Sequence, residues 1–272
     1  MSETQASGPV GVAVAQFAPG DDEAINLETI ADLVSTAAAR GARVVVLPEY
    51  SSWFRERFDA HLGEHAQPLH GQFTSALTGF AAAHDVTIVA GLVESGTDPE
   101  RVRNTVVAVH ATGIRAVYRK LHLYDAFGQR ESDWIEPGAI EEPQTFDASG
   151  LRFGIMTCYD LRFPEVTRRI VDAGADVVLV PSEWVRGPLK EQHWSTLLHA
   201  RAIENTVFIA AADHTPPVGV GHAMIVDPQG VTRAELGTRQ DVAVAFLDPA
   251  EIAEMRRVNP ALQLRRFVVA PR

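Results

Sequence analysis

The chain has 272 residues, of which 46% are hydrophobic and 22% are charged, enough to bury a full core as one large domain or two smaller ones. Its formal net charge of −11 repels phosphate backbones and anionic lipids, which argues against nucleic acid and membranes as partners. The single cysteine excludes an intramolecular disulfide and a cysteine-rich metal site.

The N-terminal stretch MSETQASGPV has neither the basic region nor the apolar core of a secretory signal peptide. No apolar run approaches the roughly 20 residues that a membrane-spanning helix requires. We therefore expect a cytoplasmic protein.

Strands and helices alternate along the first half of the chain. VGVAVAQFAP predicts a buried strand, and NLETIADLVSTAAARG predicts a helix that ends on Gly41, a residue suited to a C-cap. ARVVVLPEY predicts a second strand, which Pro48 ends, followed by a helix in GQFTSALTGFAAAHD and a strand in VTIVAGLVES. NTVVAVHATGIRAVYRK predicts two strands joined by a turn at Thr112 and Gly113.

The second half repeats this order. LRFGIMTCYD predicts a strand and PEVTRRIVDAG a helix that Pro164 opens, followed by a strand in ADVVLVPSEW. KEQHWSTLLHARAIEN predicts a helix, TVFIAAADH a strand, and HAMIVDPQGVTRAEL a final strand pair that turns between Asp227 and Gly230. Because DAGADVVLVPSEW echoes ARGARVVVLPEY of the first half, we expect two similar α/β layers packed on each other.

This echo predicts a four-layer αββα sandwich with an internal pseudo-two-fold, built as a single domain over residues 8–268 between flexible termini at 1–7 and 269–272. A single doubly wound sheet is the alternative. The tail from Leu247 carries a helix signal but no core of its own, so it docks on the body or on a second subunit. The longest irregular stretch is the loop Tyr124–Thr145, and loops of this length tend to be functional.

Three polar side chains follow apolar runs, where an α/β fold gathers its ligand sites: Glu49, Lys120 and Cys158. Acyl transfer by sulfur needs a thiolate, a base for its proton and donors for the tetrahedral oxyanion. A buried glutamate suits the base, and a lysine favours both thiolate and oxyanion. Lys120 is one of only two lysines beside 22 arginines, which favours a position that needs an ammonium and not a guanidinium, with chance as the alternative. The other, Lys190, we expect to be a solvated charge at a helix start.

The segments LPEY around Glu49, YRKLHLYD around Lys120 and TCYDLRFPE around Cys158 resemble, in order and spacing, the three signature segments of the nitrilase superfamily of carbon–nitrogen hydrolases. GHAMIVDPQG resembles a fourth family segment, so the resemblance covers roughly Val10 to Phe267. It implies a nitrilase-like αββα fold, a Glu-Lys-Cys triad, a homodimer or larger homo-oligomer, and no cofactor or metal.

Carried over by position, the resemblance makes Cys158 the nucleophile and Glu49 the general base. Lys120 and the backbone N–H of Tyr159 then hold the oxyanion. Glu131 in GQRESD matches the second glutamate of the family, which orients the substrate amide and the lysine, although only ten residues separate it from Lys120.

HLYD, ESD and CYDLRFPE look most like the ω-amidase and deaminated-glutathione amidase branch, whereas Tyr159 and Asp160 depart from the Cys-Trp-Glu of true nitrilases. We therefore expect a small-molecule amide, for instance an ω-amide of a carboxylic acid, to be hydrolysed to carboxylate and ammonia through a thioester. The same triad fits an N-carbamoyl amino acid amidohydrolase or a nitrilase. A distant alternative is a non-enzymatic or metal-dependent protein.

Further residues near these segments carry weaker signals. Trp184 is expected to line the substrate pocket, with core packing as the alternative, and Asp160, Arg162 and Glu165 to form a polar network beneath the cysteine. HLGEH matches the inverted zinc-peptidase pattern H-x-x-E-H, but Gly63 weakens a helix there, so we expect no metal.

Overall fold

The fold is that of a computed structural model, which describes residues 8–59, 61–98 and 100–271. Its helices are α1 (Glu23–Ala39), α2 (Gln72–His84), α3 (Pro164–Asp172), α4 (Lys190–Asn205) and α5 (Pro249–Val258). Its strands are β1 (Val10–Gln16), β2 (Ala42–Val46), β3 (Thr87–Ser95), β4 (Val102–His110), β5 (Gly113–Arg119), β6 (Ile135–Glu136), β7 (Thr145–Ala148), β8 (Leu151–Ile155), β9 (Val177–Pro181), β10 (Phe208–Ala212), β11 (Met224–Val226), β12 (Thr232–Glu235) and β13 (Asp241–Leu247).

The strands form two sheets of matching topology. The first has the order β13-β1-β2-β3-β4-β5, with β6 beside β4, and the second has the order β12-β11-β10-β9-β8-β7. In the first sheet β1, β2 and β3 are parallel, and β4 and β5 continue antiparallel. In the second sheet β8, β9 and β10 are parallel, and β11 and β12 continue antiparallel. The unit β1–β5 with α1 and α2 therefore recurs as β8–β12 with α3 and α4.

The two sheets face each other across one apolar core. Val44 and Val46 of β2 belong to this core together with Phe153 and Leu179 of the second sheet. Val45, between the two valines, points to the other side and packs with α1 and α2. The run Val44–Val46 is apolar because both faces of the strand are buried there, as is usual for parallel strands covered by helices, whereas Arg43 near the start of the strand is exposed.

Helices α3 and α4 cover the outer face of the second sheet in the same way, through an apolar cluster that includes Ile170 and Leu198. The layers are therefore helix, sheet, sheet, helix. The predicted αββα sandwich with its internal repeat is confirmed, and the alternative of a single doubly wound sheet is wrong.

Several predicted element ends agree closely with the structure. Helix α1 ends at Ala39, and Gly41 follows with a φ of +91°, a conformation that glycine adopts without strain. Helix α3 begins at Pro164, where the missing backbone N–H costs nothing. The predicted turn between β4 and β5 lies between His110 and Gly113.

Three strands were not predicted: β13, β7 and the two-residue β6, which lies within the predicted irregular loop. Strand β13 pairs antiparallel with β1 along its whole length, from Val10 opposite Leu247 to Gln16 opposite Asp241. Strand β7, at the end of the predicted long loop, pairs antiparallel with β8. The tail after β13 returns to the body of the protein, because Ile252 of α5 is buried in the core between the sheets.

The division into one domain with flexible termini and the cytoplasmic location remain predictions. Of the predicted flexible termini, residues 1–7 and Arg272 lie outside the described residues, and 269–271 have no regular secondary structure. Across the described ranges, no helix combines the length and the apolar character that crossing a membrane would require.

Candidate active site

A cavity of about 710 Å³ opens beside the carboxyl ends of β8 and β9. Of the six site residues that the sequence predicts, five line this cavity: Lys120, Glu131, Cys158, Tyr159 and Trp184. The sixth, Glu49, is fully buried and is joined to the cavity through its hydrogen bonds with Lys120 and with the segment after β9. The structure therefore brings all six residues together.

Cys158 begins a short 3-10 helix shortly after β8. Its φ of +44° lies in a region that non-glycine residues rarely adopt, so the surrounding structure must hold it there. The turn is held by a capping box in which Thr157 and Asp160 each accept a hydrogen bond from the backbone N–H of the other. The Sγ atom donates to the carbonyl oxygen of Glu183 at 3.2 Å, and the residue is only 6% exposed.

Glu49 sits on an equally constrained turn after β2. Tyr50, the next residue, has a φ of +55°. Gly91 of β3 lies against this turn so closely that a Cβ atom there would be 2.2 Å from the backbone nitrogen of Tyr50. Any larger residue at position 91 would displace the turn, and Gly91 is therefore part of what positions the Glu49 carboxylate.

The Glu49 carboxylate has a partner on each oxygen. Its Oε1 accepts from Lys120 Nζ at 2.9 Å and from Asn104 Nδ2 at 2.6 Å. Its Oε2 accepts from the backbone N–H of Glu183 at 2.7 Å. These bonds fix Glu49 between the first sheet, which supplies the lysine and the asparagine, and the second sheet, which supplies the backbone donor.

Lys120, which follows β5, is 2% exposed and pairs with two carboxylates. Its Nζ lies 2.9 Å from Glu49 Oε1 and 2.9 Å from Glu131 Oε2. Glu131 is held in turn by the hydroxyl of Tyr50 at 2.6 Å and by the backbone N–H of Tyr124 at 2.6 Å. The loop of ten residues between Lys120 and Glu131 is thus long enough to bring the Glu131 carboxylate into contact with Lys120.

The electrostatics give the two glutamates different protonation behaviour. Burial raises the pKa of Glu49 above its ordinary value, and Glu131 adds to this although Lys120 opposes it. Burial alone would raise the pKa of Glu131. Lys120 and the hydrogen bond from the Tyr50 hydroxyl lower this pKa by more than burial raises it, so the net shift is downward. Glu131 is therefore a fixed negative charge, whereas Glu49 is the carboxylate that can take a proton.

The cysteine rests as a neutral thiol. Burial raises the pKa of Cys158 well above its ordinary value, and the Glu49 charge raises it further. Lys120 lowers the pKa of the thiol, as expected from the sequence, but it does not outweigh burial and the surrounding carboxylates. The thiolate therefore forms only when a base removes the proton.

Trp184 packs in the core and also lines the cavity, and its contact with substrate remains a prediction. It is 3% exposed, its ring packs against Trp194 at a centroid distance of 5.4 Å, and its side chain also lines the cavity. The indole N–H donates to the carbonyl oxygen of Lys190 at 2.9 Å.

Tyr159 lies at the cavity wall with its ring edge-on to Tyr124, and the role of its backbone N–H remains a prediction.

The prediction for Lys190 is wrong. The side chain is buried at the cavity, where its Nζ donates to the Tyr124 hydroxyl at 2.7 Å and lies 4.1 Å from the ring centroid of Phe127. It is not a solvated charge, because the loop before α4 and the loop bearing Phe127 cover it. The scarcity of lysine, which singles out Lys120, applies equally to Lys190 and is the signal that could have found it.

The predicted polar network beneath the cysteine is correct in part. Asp160 is buried and accepts from the Tyr118 hydroxyl at 2.7 Å. Glu165 is exposed and does not belong to the network. Arg162 instead lines the cavity, with its guanidinium carbon 4.9 Å from the ring centroid of Trp184. Sequence reasoning also missed Asn104, whose signal is a polar residue within the apolar strand VRNTVVAVH.

The HLGEH segment does not have the α-helical geometry of the zinc-peptidase pattern that it matches. Leu62–His65 is a 3-10 helix, so the two histidines do not share the face of an α-helix. His61 Nδ1 lies 2.9 Å from Glu64 Oε1, and His65 stacks on Trp53 at a centroid distance of 4.2 Å. Over the parts of the chain that the structure describes, no group of three or more His, Cys, Asp or Glu side chains is placed to hold a metal ion.

Known proteins resemble this chain in sequence and in fold. The profile of the carbon–nitrogen hydrolase family matches residues 11–257. Deaminated glutathione amidase of Escherichia coli O157:H7 is 38% identical over 257 residues, which is 94% of this chain and 97% of that protein.

Two solved structures extend the comparison. Saccharomyces cerevisiae Nit3, a member of branch 10 of the nitrilase superfamily, superposes with a TM-score of 0.83 at 26% identity, over 98% of this chain and 100% of that one. A mutant amidase from Nesterenkonia sp. AN1, with the acetamide moiety of fluoroacetamide added covalently at its active-site cysteine, has a TM-score of 0.78 at 25% identity, over 95% of this chain and 98% of that one. The present chain belongs to the carbon–nitrogen hydrolase family of the nitrilase superfamily, and it is an enzyme that hydrolyses non-peptide carbon–nitrogen bonds.

Proposed function

We propose that the protein is a thiol-dependent amidase in which Cys158 is the nucleophile, Glu49 the general base and Lys120 the oxyanion donor. The observation that carries this proposal is the buried chain of contacts from Glu131 through Lys120 to Glu49, which the Glu183 backbone links to the Cys158 thiol. Glu131 keeps the lysine charged and in place, and Glu49 remains available for proton transfer.

The first half of the reaction forms a thioester. Glu49 removes the proton from the neutral Cys158 thiol, and the sulfur attacks the amide carbon, whose oxygen becomes an oxyanion held by Lys120 Nζ and the Tyr159 N–H. Glu49 then passes the same proton to the amide nitrogen, the carbon–nitrogen bond breaks, and ammonia leaves. The raised pKa of Glu49 suits a group that must both accept and return this proton.

The second half hydrolyses the thioester. Glu49, again ionised, takes a proton from a water molecule as the water oxygen attacks the thioester carbon. The same two donors hold the second oxyanion. When the carbon–sulfur bond breaks, Glu49 returns the proton to the sulfur, which releases the carboxylic acid and restores the thiol.

The cationic wall of the cavity supports a substrate that carries a carboxylate away from the scissile amide. Arg162 and Lys190 both line the cavity, and Arg162 Nε is buried with no hydrogen-bond acceptor among the described residues. Burial lowers the pKa of Lys190, and the like charge of Arg162 lowers it further, so an anion bound between them relieves both effects. This favours an ω-amide of a carboxylic acid over an uncharged amide.

A substrate panel tests the activity. Ammonia release is measured with ω-amides of dicarboxylic acids, N-carbamoyl amino acids and nitriles, with wild type and Cys158→Ala. We expect ω-amides to be the best substrates and the variant to lose several orders of magnitude in kcat. More than about a hundredth of the activity remaining in Cys158→Ala would contradict covalent catalysis.

The carboxylate site has its own test. Lys190→Met keeps the length of the side chain but removes the charge, so KM for an ω-amide should rise about tenfold or more, in the range of a lost charge-assisted contact. The control substrate is the same ω-amide with its free carboxylate converted to a neutral methyl ester. The KM for this control substrate should not change. An equal rise for both substrates would show that Lys190 does not bind the carboxylate.

The predicted homodimer or larger assembly also remains a proposal. The C-terminal segment exposes Leu264, Phe267 and Val268, each by 72% or more, which supports a partner surface formed by a second copy. Analytical ultracentrifugation should give at least twice the mass of one chain, which is 29.6 kDa. A monomer at micromolar concentration would contradict the proposal.

A further inference from the structure

Glu183, in the segment VPSEW after β9, is bound by its backbone to both reacting groups of the proposed mechanism. Its N–H donates to Glu49 Oε2 at 2.7 Å, and its carbonyl oxygen accepts from Cys158 Sγ at 3.2 Å. The side chain of this residue therefore starts beside the thiol and the base. It also lines the cavity.

Among the described residues, the carboxyl group of Glu183 has no hydrogen-bond partner of its own. Its Oε1 is buried, and none of the described residues forms a hydrogen bond with it. Within the same described residues, no basic nitrogen lies within the 4.0 Å of a salt bridge. Buried polar atoms are almost always paired, and an exception at the wall of an active-site cavity indicates an atom that is paired by a ligand.

The surroundings favour the neutral form of this carboxyl group. Burial raises the pKa of Glu183 well above its ordinary value, and the charges of Glu49 and Asp213 raise it further, against the opposing effect of Lys120. A neutral carboxyl group offers a carbonyl oxygen as acceptor and a hydroxyl as donor. It can therefore approach an uncharged amide without adding a third charge beside Glu49 and Glu131.

The path of the reaction determines which substrate atom lies near Glu183. When sulfur attacks and the oxygen turns towards Lys120, the leaving nitrogen must face Glu49, which protonates it. A primary amide nitrogen carries two hydrogens, and Glu49 can face only part of that group. Glu183 starts from a backbone bonded to Glu49 and Cys158 and lines the cavity, which places its carboxyl group within reach of the nitrogen side of the scissile bond.

We propose that Glu183 is a specificity-determining residue that accepts a hydrogen bond from the leaving nitrogen of the scissile amide. The proposal rests on the amidase function above and adds a preference that the triad alone does not supply. An ester with the same acyl group presents no N–H at the leaving atom. Glu183 should thus favour amides over esters, whereas Cys158, Glu49 and Lys120 act on both.

The test compares a primary ω-amide with the methyl ester of the same acyl group, using wild type, Glu183→Ala and Glu183→Gln. Both substrates form the same thioester, so they share its hydrolysis, and kcat/KM compares the steps up to thioester formation, in which the leaving atoms differ. For Glu183→Ala we expect a loss of about tenfold or more on the amide and a change below about twofold on the ester, as for one lost hydrogen bond in a buried site. Glu183→Gln keeps a neutral acceptor at the same place, so it should stay within about threefold of wild type on both substrates.

Three results would overturn the proposal: an equal loss on amide and ester in Glu183→Ala, no loss on the amide, or a glutamine variant as poor as the alanine variant. Glu191→Ala, at an exposed position in the first turn of α4, is the control for a lost surface carboxylate. Thermal unfolding of each variant reports whether the fold is retained. If wild type releases no ammonia from any amide, the amidase function itself fails; an active wild type with an unchanged amide-to-ester ratio refutes only the role of Glu183.

Discussion

Glu49 and Glu183 occupy equivalent places in the two halves of the molecule. Strands β2 and β9 are each the middle of three parallel strands, and their ends read VVVLPEY and VVLVPSEW. Glu49 has three hydrogen-bond donors on its carboxylate, whereas the carboxyl group of Glu183 has none among the described residues. The same local sequence therefore places a glutamate at the same edge of each sheet, and its role depends on partners that come from elsewhere in the chain.

The difference between the halves arises in the antiparallel strands that follow. In the first sheet Asn104 lies within β4 and Lys120 follows β5, and both reach Glu49. In the second sheet the matching strands β11 and β12 have only three and four residues, and Leu236 stands after β12 where Lys120 stands after β5. The first half thus supplies the proposed base, which is paired, and the second half supplies the proposed nucleophile and a carboxyl group that no described residue pairs.

The largest expected difference in kcat is between two variants that carry the same glutamate-to-glutamine change, one in each half. Glu49→Gln removes the base and should lower kcat by about 10²–10⁴, the usual contribution of general base catalysis. Glu183→Gln should leave kcat within about threefold, because a neutral side chain replaces a neutral carboxyl group. The measurement is kcat with a working ω-amide for both variants, and equal losses would show that the two glutamates are not distinguished by their partners.

The second largest effect on kcat should come from changing Lys120, which has no counterpart in the second half. Lys120→Arg retains the charge, but a planar guanidinium does not fit between Glu49 and Glu131 at 2.9 Å from each. We expect both Lys120→Arg and Lys120→Ala to lose about 10²–10³ in kcat, as for one lost oxyanion donor. The alkylation of Cys158 by iodoacetamide should also move to higher pH in Lys120→Ala, since Lys120 lowers the pKa of the thiol. A near-wild-type kcat in Lys120→Arg would mean that Lys120 contributes only diffuse positive charge and is not a specific oxyanion donor.

A smaller effect should follow when Glu131 loses one of its supports. Tyr50→Phe removes the hydroxyl that donates to Glu131 Oε1 at 2.6 Å and leaves the ring in place. We expect kcat to fall about tenfold, in the range of a hydrogen bond to a charged group, with a smaller change in KM. A change confined to the melting temperature, with kcat unaffected, would mean that this hydroxyl serves only the fold.

The sequence carries the parts of the site that depend on local patterns. Glu49, Lys120 and Cys158 each end an apolar run, and the repeat of VVVLPEY as VVLVPSEW predicts the two sheets. The sequence alone does not show which polar residues, distant from each other in the chain, form contacts in the folded protein. Asn104 reaches Glu49 from 55 positions away, and the backbone of Glu183 does so from 134 positions away. Strand β13 was missed for the same reason, because its partner β1 lies at the other end of the chain.

The smallest effect concerns the pH at which Glu49 becomes active. Glu49 must be ionised to take a proton, so kcat/KM falls as the pH drops through its pKa. Burial, followed by the charge of Glu131, raises this pKa above its ordinary value of 4.5, and the acid limb of the profile should therefore lie above pH 4.5. The hydrogen bond from Asn104 stabilises the ionised form and opposes this shift.

Asn104→Leu removes that bond and keeps a side chain of similar size. The neutral form of Glu49 becomes relatively more stable, its pKa rises, and the acid limb should move to higher pH by about half to one unit, the equivalent of one hydrogen bond. Thr105→Val is the matched control, because Thr105 is the next residue of β4 and its hydroxyl donates to Glu94, which does not line the cavity. An acid limb that stays in place in Asn104→Leu, or moves equally in Thr105→Val, would mean that Asn104 does not tune the base and that the pairing of Glu49 depends on Lys120 and the Glu183 backbone alone.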